Sequence, residues 1–333
     1  MLQMKMRRSM ITYKPFEMHT HTYNSDGRFT LEELCSAAKA YGYQGLALTD
    51  HNTYSAFDGL PETPVINGMP VIRGIEWTTF FGHMQVLYAE RFVDWRRAAP
   101  DTIDRFIAQI KAADGIVGVA HPFEVGSPMC TGCFFDFKIQ NWDAVDYIEV
   151  WSKHSPTTRF DNPLSFAMWT DLLNRGYRLA VTAGRDWHWE TEKQHAAATY
   201  IGLEDGIVSA ETVRDAFRNG RTYITCGPRM DITVIQDGSI FTIGQSVKPG
   251  NCRMSVLLDR SERRNVWGEF GIIPHELRVV MNGNTICSAD CSDGCRFDFD
   301  LKAEPGWFRI EMYGEALGES GKQIGLSSPF YCR

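Results

Sequence analysis

The sequence predicts an α/β fold built on parallel strands and followed by an all-β domain. Three observations carry this. Up to about residue 228, short apolar runs alternate with segments of helical period. The polar residues that stand out there (His19 and His21, Asp50 and His51, Glu76, His121, Glu149, Asp186 and His188) each follow an apolar run at its C-terminal end. In an α/β barrel those ends converge on one face, where active sites are built. From about residue 229 the helical period stops, and short alternating runs separated by Gly, Asn and Asp take over. The expected organisation is a tail over 1–15, a barrel over 16–228 and a β-rich, sandwich-like domain over 229–333.

The elements follow in order. In "TLEELCSAAKAYGYQG", Thr30 and Glu33 form a capping-box pattern, and Leu31, Leu34, Ala37, Ala38 and Tyr41 fall at helical spacing before the stop at Gly42. "GLALTDH" is a buried strand ending in Asp50-His51, "PVIRGIEW" one ending in Glu76, and "GHMQVLYA" one that begins with His83. "DTIDRFIAQIKAADG" has a helical period from Ile103 to Ala113, with Asp101 as its cap and Gly115 as its stop. "IVGVAHPF" and "AVDYIEVW" are strands ending near His121 and Glu149, and "NPLSFAMWTDLLNRGY" is a helix with Pro163 in its first turn. "RLAVTAGRDWH" is a strand ending in Asp186 and His188, and "SAETVRDAFRNGRTYIT" is a last helix after Ser209. Beyond it, "MDITVIQD", "CRMSVLLD", "LRVVMNG", "RFDFDL" and "WFRIEMYG" are strands, with "DGS", "NGN" and "SDG" as turn signals.

Bulk composition narrows the class. The chain has 333 residues, 44 % hydrophobic and 23 % charged, enough for a large core. A formal net charge of −7 argues against nucleic acid as a partner beyond short nucleotides, because phosphate backbones want a positive field. No stretch reaches the ~20 apolar residues of a membrane helix, and no apolar run of signal-peptide length follows Arg7 and Arg8. A cytoplasmic protein with a small-molecule substrate is the expectation. Nine cysteines are an odd number, read as mostly free thiols. Cys130 and Cys133 make a lone C-x-x-C with no second pair at zinc-ribbon spacing, and Cys287, Cys291 and Cys295 are read as turn and strand residues.

The chemistry lies in the histidines. Residues two apart on a strand point to one side, so His19 and His21 in "EMHTHTYNSDG" face one point, and Asp26 arrives from the loop beyond. An H-x-H pair alone is weak evidence, but only His154, His195 and His275 of the nine histidines stand outside the constellation. Six histidines with several carboxylates exceed the roughly four ligands of one zinc. The pattern therefore points to two or three metals with bridging carboxylates.

"HTHTYNSDG", "LALTDHNT", "GIE" followed by "GH", "VAHPF" and "AGRDWH" resemble, in order and spacing, the ligand motifs of the PHP superfamily (polymerase and histidinol phosphatase domain) over about residues 16 to 190. "FRNGRTYITCGPRMDITV" and the β domain after it look like the CehA/McbA-type branch of these metallohydrolases. The resemblance implies a distorted (β/α)7 TIM-like barrel with two or three divalent ions, manganese, iron or zinc. It implies that His19 and His21 hold one metal, that Glu76 and Asp186 bridge or share metals, that His83 and His121 complete a second site, and that Asp26, His51 and His188 form a third. Asp50 is expected to orient a ligand from behind. Glu149 matches a position that is usually acidic, with contact to metal left open. Arg185 departs from the small residue of related motifs. It either clamps phosphate beside the metals or turns away to pair with a surface carboxylate. Lys153 and His154 are candidates for holding an anion or protonating a leaving group.

A metal centre of this kind hydrolyses by water that loses its proton between two ions, so no serine or cysteine nucleophile is needed. Phosphoester hydrolysis, with Asp186, Glu76, Arg185 and His154 as catalytic residues, is the first expectation. Hydrolysis of a carboxyl ester, amide or carbamate by the same centre is the second. A non-catalytic metal- or ligand-binding protein, or a processing module serving a polymerase, is the third; intact motifs and the lack of a polymerase-like remainder speak against it.

Overall fold

The computed structural model describes residues 10–126, 135–189 and 193–333. Seven strands follow one another in space as in sequence: β1 (Ile11–Thr20), β2 (Gly45–Leu48), β3 (Met69–Thr79), β4 (Gly82–Leu87), β5 (Ile116–Val119), β6 (Tyr147–Ser152) and β7 (Ala180–Gly184). Helices α1 (Leu31–Ala40), α2 (Ile103–Lys111) and α3 (Asn162–Asn174) pack against them through Leu34, Ile107 and Leu172. The strand ending in the first histidine motif begins at Ile11, inside the stretch expected as a tail. β1 to β3 pair in parallel, as do β5 to β7.

The expectation of parallel strands fails at β4, which runs antiparallel to both neighbours. Only Phe80 and Phe81 separate it from β3, which is room for a hairpin and not for a crossover. The reversal matters. It places the beginning of β4 beside the end of β3, with Thr78 opposite His83, so His83 joins the rim that its neighbours reach at their C-terminal ends.

β7 and β1 meet through a single parallel bridge, Thr20 to Trp187. The free backbone groups of β7 are taken instead by hydroxyls: Thr199 Oγ1 accepts from Ala183 N at 2.8 Å, Ser328 Oγ accepts from Val181 N at 2.9 Å, and Thr222 Oγ1 donates to Val181 O at 2.7 Å. Buried backbone groups need such partners, and here side chains replace a ladder. Thr199 lies on β8 (Ala198–Glu204), which runs antiparallel to β1, and Thr222 on β9 (Thr222–Thr225).

The Thr30 capping box of α1 and the Ser209 cap of α4 (Ala210–Arg218) form as expected. Asp101 does not cap α2. It lies in a 3-10 turn over Pro100–Thr102 and pairs with Lys138 at 2.9 Å, and the helix ends at Lys111 before reaching Gly115.

The C-terminal part is almost wholly β. A four-stranded sheet joins β10 (Arg229–Gln236), β11 (Ser239–Thr242), β12 (Gly250–Asp259) and β15 (Arg296–Ala303). A second sheet holds β13 (Ile273–Met281), β14 (Asn284–Asp290), β16 (Gly306–Ala316) and β17 (Glu319–Ser327). Alternating residues such as Ile232, Met254, Val279 and Ile310 are buried in the shared core. Pairing of β17 with β9 makes the second sheet continuous with β8 and β1. No helix among the described residues is long and apolar enough to cross a membrane. Cys287, Cys291 and Cys295 are free thiols, whereas Cys130 and Cys133 lie outside the described residues.

Candidate metal centre

Glu76, fully buried near the end of β3, is the hub of the rim. Its Oε2 stands 3.1 Å from His19 Nε2, 3.3 Å from His21 Nε2 and 3.2 Å from His51 Nδ1. Its Oε1 stands 2.6 Å from His83 Nδ1 and 3.0 Å from His121 Nε2. Asp186 turns Oδ1 toward the first pair, 2.9 Å from His21 Nε2 and 3.5 Å from His19 Nε2. A third group lies alongside, where Asp26 stands 3.2 Å from His188 Nε2 and 3.6 Å from His51 Nε2. Within each group the donor atoms are all within 4.8 Å of one another.

These spacings have a physical reading. Two ligands at about 2.1 Å from a common ion stand roughly 3.0–3.4 Å apart at octahedral to tetrahedral angles. His19 Nε2, both ring nitrogens of His21, Glu76 Oε2, His83 Nε2 and Asp186 Oδ1 are buried without a hydrogen-bond partner, although several stand at contact distance. Each such orphan costs about 1–3 kcal/mol in a protein interior. A divalent cation among His19 Nε2, His21 Nε2, Glu76 Oε2 and Asp186 Oδ1 would satisfy those four, so these residues fit a metal.

The backbone is shaped for this crowding. A Cβ on Gly184 would stand 2.4 Å from His19 Cβ and 2.5 Å from Glu149 Oε1, so the position admits only glycine. His121, Lys153 and Asp186 have φ of 24°, 65° and 46°, a left-handed region that non-glycine residues occupy at a cost and that recurs at functional sites.

Charge follows the same plan. Burial pulls the His21 and His121 imidazoles down, but the carboxylates of Asp186 and Glu76 outweigh it and lift both to about 9. Burial opposes ionisation of Glu76 and Asp186, yet the surrounding His19, His83 and Lys153 hold both well below the usual carboxylate range. Without an ion, protons on the histidines balance the acids. His51, by contrast, is lowered by burial to about 4.

Glu149 sits behind this ring of donors, 3.1 Å from His19 Nδ1, and accepts from His121 N at 3.0 Å. Asp50 plays a different part from the one expected. It accepts from Thr22 N at 2.7 Å, Thr22 Oγ1 at 2.6 Å and Ser25 Oγ at 2.7 Å, and so pins the loop that carries Asp26. Adjacent residues of an extended segment point to opposite sides, so Asp50 turns from the His51 ring. Thr78 Oγ1, at 2.5 Å from Nδ1, orients that ring instead.

Arg185 takes neither of its two expected positions. Its guanidinium is buried between the rings of Trp187 and Tyr41, 3.8 and 4.3 Å from their centroids, and its backbone N–H donates to Glu17 Oε1. Lys153 reaches the cluster, pairing with Asp186 and, at 3.2 Å, with Glu124. His154 is exposed beside it on the rim. Glu124 is a site residue that sequence reasoning missed. It lines the cleft of about 160 Å³ over His83, His121 and Asp186, and a carboxylate three residues past a ligand-type histidine was the available signal.

Comparison with known proteins agrees with this picture. Residues 17–118 match the family model of the PHP domain. No curated protein matches the sequence. Among solved structures, the chain is similar to a two-domain protein from Bacteroides vulgatus containing a predicted PHP-like metal-dependent phosphoesterase. The TM-score is 0.50 at 13% identity, covering 96% of this chain and 95% of that one. More partial likenesses are a candidate metal-dependent phosphoesterase from Bifidobacterium adolescentis (TM-score 0.37, 18% identity, 60% of this chain and 94% of that one) and an amidohydrolase from Chromobacterium violaceum with bound sulfate and no metal (TM-score 0.36, 16% identity, 53% and 88%).

Proposed function

We propose that the protein is a metal-dependent hydrolase that cleaves a small phosphorylated substrate, within the CehA/McbA-type branch that its C-terminal motif resembles. The observation that carries this reading is the double use of Glu76, whose Oε2 faces His19, His21 and His51 and whose Oε1 faces His83 and His121, an arrangement that would suit a carboxylate shared between two ions. Two or three ions of manganese, iron or zinc held there would generate the nucleophile from water and neutralise charge building on the attacked group. His19, His21 and Asp186 hold one side of the cluster, His83 and His121 another, and Asp26, His51 and His188 the third. Lys153 brings a cation to the mouth, where it meets an anionic oxygen of the substrate; His154, exposed beside it, is the candidate for protonating the departing group, although burial and the nearby Arg185 lower its imidazole below the usual value. The cleft admits the reacting group and leaves the rest of the substrate at a rim where Phe80 and Trp189 are exposed.

One observation favours a second reading. Arg185 is stacked between two rings and makes no hydrogen bond toward the cluster among the described residues, and a carboxyl ester, amide or carbamate needs no such clamp. Hydrolysis of p-nitrophenyl phosphate against p-nitrophenyl acetate by manganese-loaded protein separates the two, with Asp186→Ala as the blank. Phosphate turnover lost in the blank supports the first reading, and acetate turnover alone supports the second. No turnover of either with the metals in place leaves a binding protein.

A further inference from the structure

The seam between β7 and β1 carries His19 and His21 on one side and Asp186 and His188 on the other, yet few backbone bonds cross it. His21 N donates to Trp187 O at 2.9 Å, and Trp187 N donates to His19 O at 3.0 Å. Glu17 adds one more, since its Oε1 accepts from Arg185 N at 2.8 Å while also accepting from His19 N of its own strand at 3.2 Å. One carboxylate oxygen thus ties the two strands together directly beneath the donors.

A buried carboxylate needs a counter-charge. Glu17 is 1% exposed, and the nearby cation is that of Arg185. Arg185 is held by Tyr41 and Trp187, and the Tyr41 hydroxyl also accepts from Gln194 N at 3.0 Å. Tyr43 donates its hydroxyl to Ala197 O at 2.7 Å, at the start of β8.

What holds Tyr41 and Tyr43 comes from the C-terminal domain. Arg263 Nε donates to Tyr41 O at 3.0 Å, and the Arg263 guanidinium lies 4.8 Å from the centre of the Tyr43 ring. Its stem rests on Gly42, where φ is +70° and a Cβ would stand 3.0 Å from Arg263 Cγ. Arg263 is 6% exposed and has φ of +54°, a backbone state that arginine seldom adopts without something holding it there.

We infer that the C-terminal domain is part of the active-site scaffold, with Arg263 and Glu17 as positioning residues that hold the β7–β1 seam and so the spacing of His19, His21 and Asp186. The inference rests on reading the cluster as a metal site. A shift of a fraction of an ångström in such donors is enough to weaken an ion.

The test titrates manganese into metal-free, full-length wild-type, Arg263→Met, Arg263→Lys and Glu17→Gln proteins by calorimetry, below each unfolding temperature. Turnover of the better p-nitrophenyl ester is followed alongside. Methionine keeps the apolar stem over Gly42 and removes the charge and the donor. Arg263→Met is expected to weaken manganese binding by 10- to 100-fold and to lower kcat with KM unchanged. Arg263→Lys should recover part of this, because it restores the charge without the planar stack. Glu17→Gln keeps an acceptor oxygen and loses the charge, so it should lie between wild type and Arg263→Met. Wild-type affinity in both Arg263→Met and Glu17→Gln, with only the unfolding temperature lowered, overturns the inference and leaves the metal reading intact. A wild-type protein that takes up no manganese overturns both.

Discussion

Glu149 lies 3.1 Å from Nδ1 of His19, at the opposite nitrogen of the ring from Glu76. That contact fixes the tautomer: Nδ1 carries the proton toward Glu149, and the Nε2 lone pair faces the cluster. Replacing Glu149 with alanine frees the ring to turn. Equilibrium dialysis should show manganese affinity reduced by about 10- to 100-fold. Unchanged affinity would mean that the ring is held by packing alone.

Proton release offers a check that needs no substrate. His21 and His121 hold protons up to about 9 in the metal-free chain, so an ion arriving at pH 7.5 must displace them. His19 is held well above its usual value as well, so calorimetry in buffers of different ionisation enthalpy should report roughly three protons released. Affinity should climb with pH and level off near 9. The sign for stability is opposite. A raised histidine pKa stabilises the metal-free fold fully below the unfolded value of about 6.5, and that contribution is lost as pH rises through about 9. Metal-stripped protein should melt lower at pH 9 than at pH 6.5.

Asp50 tests the loop separately from the donors. Asp50→Ala strands Thr22 N, Thr22 Oγ1 and Ser25 Oγ and releases the segment that carries Asp26. The expected result is a loss of about 3 kcal/mol in urea unfolding, since bonds to a charged acceptor are worth roughly 1.5–3 kcal/mol each and are partly replaced by water. Elemental analysis should find fewer ions per chain than in wild type without complete loss. Full occupancy in the variant would detach Asp26 from the metal site.

His195 makes a prediction away from the cluster. It is 1% exposed, and burial, helped by Arg263, lowers its pKa to about 4. A depressed pKa gives stability that is complete above the unfolded value of about 6.5 and is lost as pH falls toward about 4. The loss approaches roughly 3 kcal/mol at one pKa unit per 1.36 kcal/mol. Urea unfolding at pH 7 and pH 4.5 should show this difference in wild type and a smaller one in His195→Leu.

Much of the candidate metal centre was legible in the chain. His19, His21, Asp26, His51, Glu76, His83, His121, Asp186 and His188 were all singled out from their spacing and family motifs, and they come together on one rim. The helix caps at Thr30 and Ser209 were equally plain. The antiparallel course of β4 had a signal, the two-residue link through Phe80 and Phe81, that the α/β pattern masked. Glu124 was readable only as a carboxylate near His121.

The sequence by itself determined which side chains alternate along each strand, where the helices start and which donors follow each apolar run. These depend on covalent neighbours and on a period of two or 3.6 residues. The tertiary structure alone decided where Arg185 points, what Glu17 ties together and that Arg263 reaches Tyr41 from the C-terminal part of the chain. The direction of a long charged side chain is set by whichever aromatic faces and buried acceptors folding brings beside it, and here those stand 144 residues from Arg185 and 222 from Arg263 along the chain.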